Sequence, residues 1–205
     1  LIDMEYWLAC NEERAAQAHF GAVCCCGPCV YRRSALVSLL DQYETQLFRG
    51  KRSDFGEDRH LTILLKAGFQ TEYVPDAIVA TVVPDKLEPY LRQQLRWARS
   101  TFRDTFLALP LLPGLDRYPL DVVGQNVGPL LLAMSVVTGL GQLLTATVPW
   151  WTVLMIASMT MIRCSVVAVR ARQRFLGFSL HTLVNLFLLL PLKAYALCTL
   201  SNSDW

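Results

Sequence analysis

An α/β domain followed by transmembrane α-helices is the fold class that the sequence predicts, and three observations carry it. The 205-residue chain is 53% hydrophobic and only 18% charged, with a mean hydropathy of +0.33. That is too apolar for disorder and rich for one soluble domain. Its charges are unevenly placed, with 14 Lys/Arg and 15 Asp/Glu in residues 1–120 against 5 and 2 in residues 121–205. The first half also mixes short apolar stretches with helical periodicity, as an α/β domain does. A net charge of +2 leaves no concentrated basic face for phosphates, which excludes nucleic acid as a partner. The chain opens Leu1-Ile2-Asp3-Met4-Glu5 without an initiator Met or a targeting segment, and is expected to be a fragment that starts within folded sequence.

Within residues 1–120, the stretches 20–26 and 71–74 are predicted strands, and 57–67 and 86–109 are predicted helices. A further helix is expected from Arg32, and 43–51 fits either type. Between Asp121 and Arg163 no residue is charged for 41 positions, about twice the roughly 20 needed to cross a bilayer as a helix. Pro149 beside Trp150 and Trp151 divides that run into spans at about 123–147 and 150–169, with Arg163 near enough to the second span's far end to snorkel. Arg170, Arg172 and Arg174 form a basic loop, and a third span is expected at about 175–200. The positive-inside rule places that loop, and therefore residues 1–120, in the cytoplasm. Cys198 would then lie toward the periplasmic end of the third span.

Seven cysteines, four of them in Cys24-Cys25-Cys26-Gly27-Pro28-Cys29, invite a redox or zinc reading. Cys26-Gly27-Pro28-Cys29 resembles the thioredoxin motif, but a redox thiol there needs a helix starting at the first cysteine, and Val30-Tyr31-Arg32-Arg33 follows in a chain without that fold's pattern. His19, His60 and His181 supply no second ligand pair for zinc. Reduced thiols in a cytoplasmic domain are the plainer expectation. Gly56-Glu57-Asp58 places adjacent carboxylates at the mouth of a helix, where acids ordinarily cap and meet the macrodipole. A carboxylate there can also act as a general base when an acceptor hydroxyl comes within reach.

Over 85–109, a rotation of about 100° per residue puts Leu91, Leu95, Ala98, Phe102, Phe106 and Leu109 on one face. That face is expected to be buried in protein or in lipid headgroups. Arg92, Arg96, Arg99 and Arg103 form a neighbouring stripe suited to an anionic membrane surface, with Arg92, Arg99 and Arg103 read as solvated. Gln93, Arg96 and Trp97 share a third arc. A guanidinium can neutralise a diphosphate leaving group and an indole offers an apolar platform to a sugar ring, so this trio suits glycosyl transfer.

Gly56-Glu57-Asp58 and Gln93-Gln94-Leu95-Arg96-Trp97, followed by apolar helices, resemble the processive, membrane-embedded family 2 glycosyltransferases, which include cellulose, chitin and hyaluronan synthases. Residues 55–62, 91–100 and 200–205 are similar to the family's nodulation-type N-acetylglucosaminyltransferases. The resemblance covers essentially the whole chain and implies the C-terminal part of a GT-A type glycosyltransferase domain, residues 1–120, ahead of a membrane domain, residues 121–205. It implies that Asp58 deprotonates the C4 hydroxyl of the growing chain, which attacks UDP-N-acetylglucosamine with inversion to give β-1,4 links. Glu57 belongs to the same motif. Gln93 and Arg96 would steady the diphosphate and acceptor, and Trp97 would hold the acceptor's terminal ring.

Gly27, Pro28, Tyr31 and Arg32 resemble a family segment near the acceptor, with one residue fewer between the proline and the tyrosine. The uridine-binding Asp and the Asp-x-Asp motif that would hold Mg²⁺ or Mn²⁺ are expected outside this chain, so no metal ligand is assigned and no catalysis by the fragment alone is expected. The implied partners are UDP-N-acetylglucosamine, the growing oligosaccharide and the lipid bilayer. A chitin or hyaluronan synthase would share every motif, and a non-catalytic membrane module would use Asp58 and Arg96 only as an N-terminal acid and a surface base.

Overall fold

The computed structural model describes residues 2–19, 29–52, 57–66, 69, 71–110, 118–145, 147 and 150–202. In order these form α1 (Ile2–Trp7), a π-helical turn (Leu8–Glu13), α2 (Arg14–His19), α3 (Arg33–Val37), α4 (Leu40–Glu44), β1 (Leu47–Phe48), β2 (Lys51–Arg52), α5 (Glu57–Lys66) and α6 (Leu87–Ala108). There follow α7 (Tyr118–Leu144), α8 (Trp150–Arg170), a 3-10 turn (Arg172–Arg174), α9 (Phe175–Val184), a second π-helical stretch (Asn185–Leu189) and α10 (Leu190–Cys198). Two compact units result, one from Ile2, Met4–Val122 and Leu192–Trp205, the other from Asp3 and Val123–Pro191.

Helices dominate the described residues, which overturns the expected α/β fold and the GT-A type sheet with it. Extended pairing there is a two-residue antiparallel ribbon, Leu47 opposite Arg52 and Phe48 opposite Lys51, closed by Arg49 and Gly50, both at positive φ. The predicted strand at 20–26 lies outside the described residues, and the one at 71–74 shrinks to an isolated bridge at Thr71. A strand exists only when a neighbour takes up its N–H and C=O groups. Residues 72–85 have no such neighbour among the described residues; they form no helix or strand, and Ile78 and Val82 are 86% and 98% exposed. Short apolar runs do not report whether a partner exists, which is why periodicity misread this one.

In the first unit, the helices predicted at 57–67 and 86–109 are α5 and α6. α6 follows an extended Lys86, with Glu88 in its first turn against the macrodipole and Pro89 where a missing N–H costs little. At its far end the Leu109 N–H bonds to Thr105 O, just before Pro110. Ala35 and Leu61 form a small core against which Tyr31, Leu36, Leu39 and Tyr43 pack, so α3, α4 and α5 meet around one apolar point.

In the second unit, hydroxyls within apolar helices bond back to their own turn: Ser135 to Leu131 O at 2.7 Å, Thr160 to Ile156 O at 2.8 Å and Thr182 to Phe178 O at 3.0 Å. Three spans were predicted. Among the described residues one helical stretch, Arg172–Cys198, is long and apolar enough to cross a membrane, while the apolar parts of α7 and α8 are Pro129–Leu144 and Trp150–Met161. α7 and α8 approach closely at Gly139, where an added Cβ would sit 2.8 Å from Thr152 Cγ2. Gly139→Leu is therefore expected to destabilise this unit by about 1–3 kcal/mol, the usual cost of overpacking, read as a lower midpoint of thermal unfolding in detergent.

Candidate functional site

α6 turns its polar face inward. Gln93, Trp97, Ser100 and Asp104 follow one another at i, i+4, i+7 and i+11 and so share one arc, flanked by Tyr90 and Gln94. Tyr90, Gln94, Ser100 and Asp104 are buried and Gln93, Arg96 and Trp97 half-buried, while Glu88, Arg92 and Phe106 on the opposite side are exposed. The face predicted to be buried is covered unevenly: Ala98 is buried, Leu91, Leu95 and Phe102 are half-buried, and Phe106 and Leu109 stand about half exposed.

α1 covers the first part of the arc. Glu5 accepts the Tyr90 hydroxyl at 2.7 Å and also the Gln94 side-chain amide. Burial, and then the hydrogen bond and charge of Glu5, push Tyr90 above the usual phenol range. The Trp97 and Tyr6 rings meet in a T-shaped pair with centroids 5.8 Å apart and planes at 84°. The side-chain oxygen of Gln93 is buried and accepts no hydrogen bond from the described residues.

α5 lies against α6 and carries Asp58 in its first turn, where one carboxylate oxygen accepts the Arg59 backbone N–H at 2.8 Å and the Asp58 carbonyl accepts the Thr62 hydroxyl at 2.7 Å. Asp58 and Arg59 both act electrostatically on Asp104, two turns beyond Trp97 on α6. Burial lowers the proton affinity of His60, two residues further along α5. Tyr31 packs against the Ala35–Leu61 core and thereby against α5. Arg32 is exposed, and its carbonyl receives the N–H groups of Ala35 and Leu36 at the start of α3. Glu57 opens α5. Gly27 and Pro28 lie outside the described residues.

Arg99 and Arg103, predicted to be solvated, are 4% and 2% exposed. Arg103 donates to Leu200 O through Nε at 2.7 Å and through Nη2, which also reaches Asn202 O at 3.1 Å. Arg99 donates to Thr199 Oγ1 at 3.2 and 3.0 Å. Phe48 lies 5.3 Å beneath the Arg103 guanidinium and Tyr195 6.0 Å from that of Arg99. No spacing in the sequence announces these contacts, which join positions about a hundred residues apart. Asp104 was missed as well, although its i+7 relation to Trp97 was visible. It is fully buried, and burial outweighs Arg59, Ser100 and Arg103 to push its carboxyl up to about 7.

The chain matches glycosyl transferase family group 2 over residues 25–198. It belongs to that family. It is 82% identical to an N-acetylglucosaminyltransferase of Rhizobium meliloti (strain 1021), 80% to one of Rhizobium leguminosarum bv. viciae and 77% to one of Bradyrhizobium diazoefficiens. Each match covers 100% of this chain and, respectively, 50%, 50% and 44% of the relative. The chain thus spans about half the length of the curated relatives it matches, and the likeness to nodulation-type N-acetylglucosaminyltransferases read from the motifs agrees with them. As for the divalent ion the family implies, no three His, Cys, Asp or Glu side chains converge among the described residues. These residues do not fit such an ion, and no step below is routed through one.

Two outcomes follow from this packing. Arg103→Ala should lower stability by about 3 kcal/mol or more, because charged hydrogen bonds are lost and buried carbonyls are left without donors; a denaturant titration of the full-length protein reads this directly. The raised proton affinity of Asp104 means that the folded chain keeps a proton which the unfolded chain has released above about pH 4. Its contribution to stability is full below that pH and declines as pH rises toward about 7. Asp104→Asn should flatten this slope in thermal melts across the range.

Proposed function

We propose that, within the longer protein its relatives represent, this chain serves an inverting, processive β-1,4-N-acetylglucosaminyltransferase that builds a chitooligosaccharide, the backbone of a nodulation factor, from UDP-N-acetylglucosamine. The observation that carries this reading is the inward face of α6. It presents Gln93 and Trp97 beside helices α1 and α5 in a chain of glycosyl transferase family group 2.

Asp58 acts as the general base. Its carboxylate takes the proton from the C4 hydroxyl of the acceptor's terminal sugar as that oxygen bonds to C1 of the donor. The C1–O bond to UDP breaks on the opposite face, the diphosphate leaves with the electron pair, and the anomeric centre inverts. Arg96 offers a guanidinium to the charge that develops on the diphosphate. Gln93 has an unused amide oxygen for an acceptor hydroxyl. The side of Trp97 away from Tyr6 is a platform for the acceptor's terminal ring. Glu57, Gly27, Pro28, Tyr31 and Arg32 belong to the acceptor side of the same site.

The proposed location is the bacterial inner membrane, crossed more than once, with residues 1–120 in the cytoplasm. The long apolar stretch Arg172–Cys198 supports membrane association. The contacts of Arg99 and Arg103 with residues 199–202 support a reading in which that segment shares the side of α6 and the chain crosses an even number of times between them. This is an alternative to the three-span arrangement that ends in the periplasm. Cys198, exposed in the structure, is expected to react with a membrane-impermeant thiol reagent only when the cytoplasmic face is opened.

The direct test is incorporation of radiolabelled UDP-N-acetylglucosamine by membranes carrying the full-length protein. Wild type should give short chitinase-sensitive oligomers. Asp58→Asn at equal protein level should lose at least about a hundredfold in rate, the scale of a general base, and Trp97→Ala should lose chain extension. Full activity in Asp58→Asn would remove the base assignment, and a product resistant to chitinase would remove the sugar assignment.

A further inference from the structure

Glu5 and Tyr6, neighbours on α1, belong to none of the motifs read from the sequence, yet both meet α6 at the residues that flank or form its candidate site. Both oxygens of the Glu5 carboxylate are engaged there: Oε1 accepts the Tyr90 hydroxyl at 2.7 Å, and Oε2 accepts the side-chain amide of Gln94. Tyr90 and Gln94 stand one turn apart on α6 and are both buried. A carboxylate that receives donors from consecutive turns fixes the distance and the register of α1 against α6. Burial, with the bond and charge of Glu5, holds Tyr90 above the usual phenol range, so its hydroxyl remains a donor. The next residue of α1, Tyr6, is thereby brought to Trp97, three residues beyond Gln94, where the two rings form a T-shaped pair with centroids 5.8 Å apart and planes at 84°. All of these residues lie within the first unit.

An indole serves a sugar ring only when its plane is presented to that ring. Trp97 is half-buried, and its two side-chain torsions would leave several orientations open to it at a partly exposed position on a helix. A perpendicular aromatic neighbour removes most of them, because turning either ring out of the T-shaped arrangement loses the contact between one ring's edge and the other's face.

We propose that Tyr6, placed by Glu5, is a positioning residue for Trp97: it fixes the plane of the indole and so governs how firmly the acceptor's terminal ring is held between additions. The proposal rests on the reading of Trp97 as the acceptor platform. Tyr6 acts through Trp97 and has no part in donor binding or in proton removal. Loosening the indole should therefore let the growing chain leave sooner and shorten the product, while affinity for UDP-N-acetylglucosamine stays as it is.

The experiment uses membranes carrying the full-length protein, radiolabelled UDP-N-acetylglucosamine and chromatography that resolves the oligomers by size, with kcat and KM for the donor measured on the same preparations. The variants are Tyr6→Leu, Tyr6→Phe, Glu5→Asp and Trp97→Ala. In Tyr6→Leu the ratio of extended to released oligomers is expected to fall about fivefold, the scale of one aromatic pair, with KM for the donor within about twofold of wild type. Tyr6→Phe keeps the ring and should restore the wild-type distribution. Glu5→Asp keeps the charge but shortens the reach to Tyr90 and Gln94, so it should shift the distribution in the same direction as Tyr6→Leu; it is also the deciding variant if Tyr6→Leu does not accumulate as folded protein.

A wild-type distribution in Tyr6→Leu or, where that variant is lost, in Glu5→Asp would overturn the proposal. So would a KM for the donor that rises in step with the loss of extension, or a Tyr6→Phe variant that behaves like Tyr6→Leu. If Trp97→Ala makes wild-type oligomers, the platform reading falls and this proposal with it. If Trp97→Ala loses extension while Tyr6→Leu matches wild type, only the proposal falls.

Discussion

A guanidinium that is 2% exposed, as that of Arg103 is, must find acceptors for its donors inside the protein, and here the carbonyls of Leu200 and Asn202 supply them. Much of the first unit follows from that requirement. Residues 199–202 are held to α6, Arg99 adds the Thr199 hydroxyl, and Phe48 from the β1–β2 ribbon closes over the Arg103 cation. With two arginines on one side and Glu5 gripping Tyr90 and Gln94 on another, α6 has little freedom to rotate about its axis. Its orientation is set by polar contacts rather than by an apolar stripe.

The result is a helix that buries an unusual share of its polar residues. An amphipathic helix usually buries its apolar stripe, yet α6 buries Tyr90, Gln94, Ser100, Arg103 and Asp104. Leu87, Leu91 and Leu95 instead form, with Leu192, the walls of a shallow apolar groove. Under the proposed function this arrangement has a chemical use. Electrostatic interactions strengthen as water is excluded, so a site that handles a hydroxyl proton and a diphosphate gains from lying between protein helices. Within that environment Asp58 keeps a backbone donor and a charged neighbour, and Trp97 keeps one side of its indole against Tyr6.

Much of this was legible in the chain, and the failures have a common cause. Helices at α5 and α6, the shared arc of Gln93 and Trp97, and the solvated position of Arg92 all follow from local periodicity, and the order of Gly56-Glu57-Asp58 and Gln93-Gln94-Leu95-Arg96-Trp97 pointed to the family. The misreadings concern what lies opposite a residue. Arg99 and Arg103 carry the same stripe logic as Arg92 but meet Thr199, Leu200 and Asn202. Residues 71–74 have strand-like composition but no pairing strand among the described residues beyond the bridge at Thr71.

Family, motif order, the partition of charge and the arcs that side chains share around α6 are properties of neighbouring residues, because a helix turns about 100° per residue whatever surrounds it. Which arc is covered, whether Arg103 is hydrated or bonded to a carbonyl, and whether Asp104 holds a proton near neutrality depend on segments brought together from about a hundred residues away. Those contacts arise when the chain packs, since a buried charge or carbonyl has to be satisfied by whatever the fold places beside it.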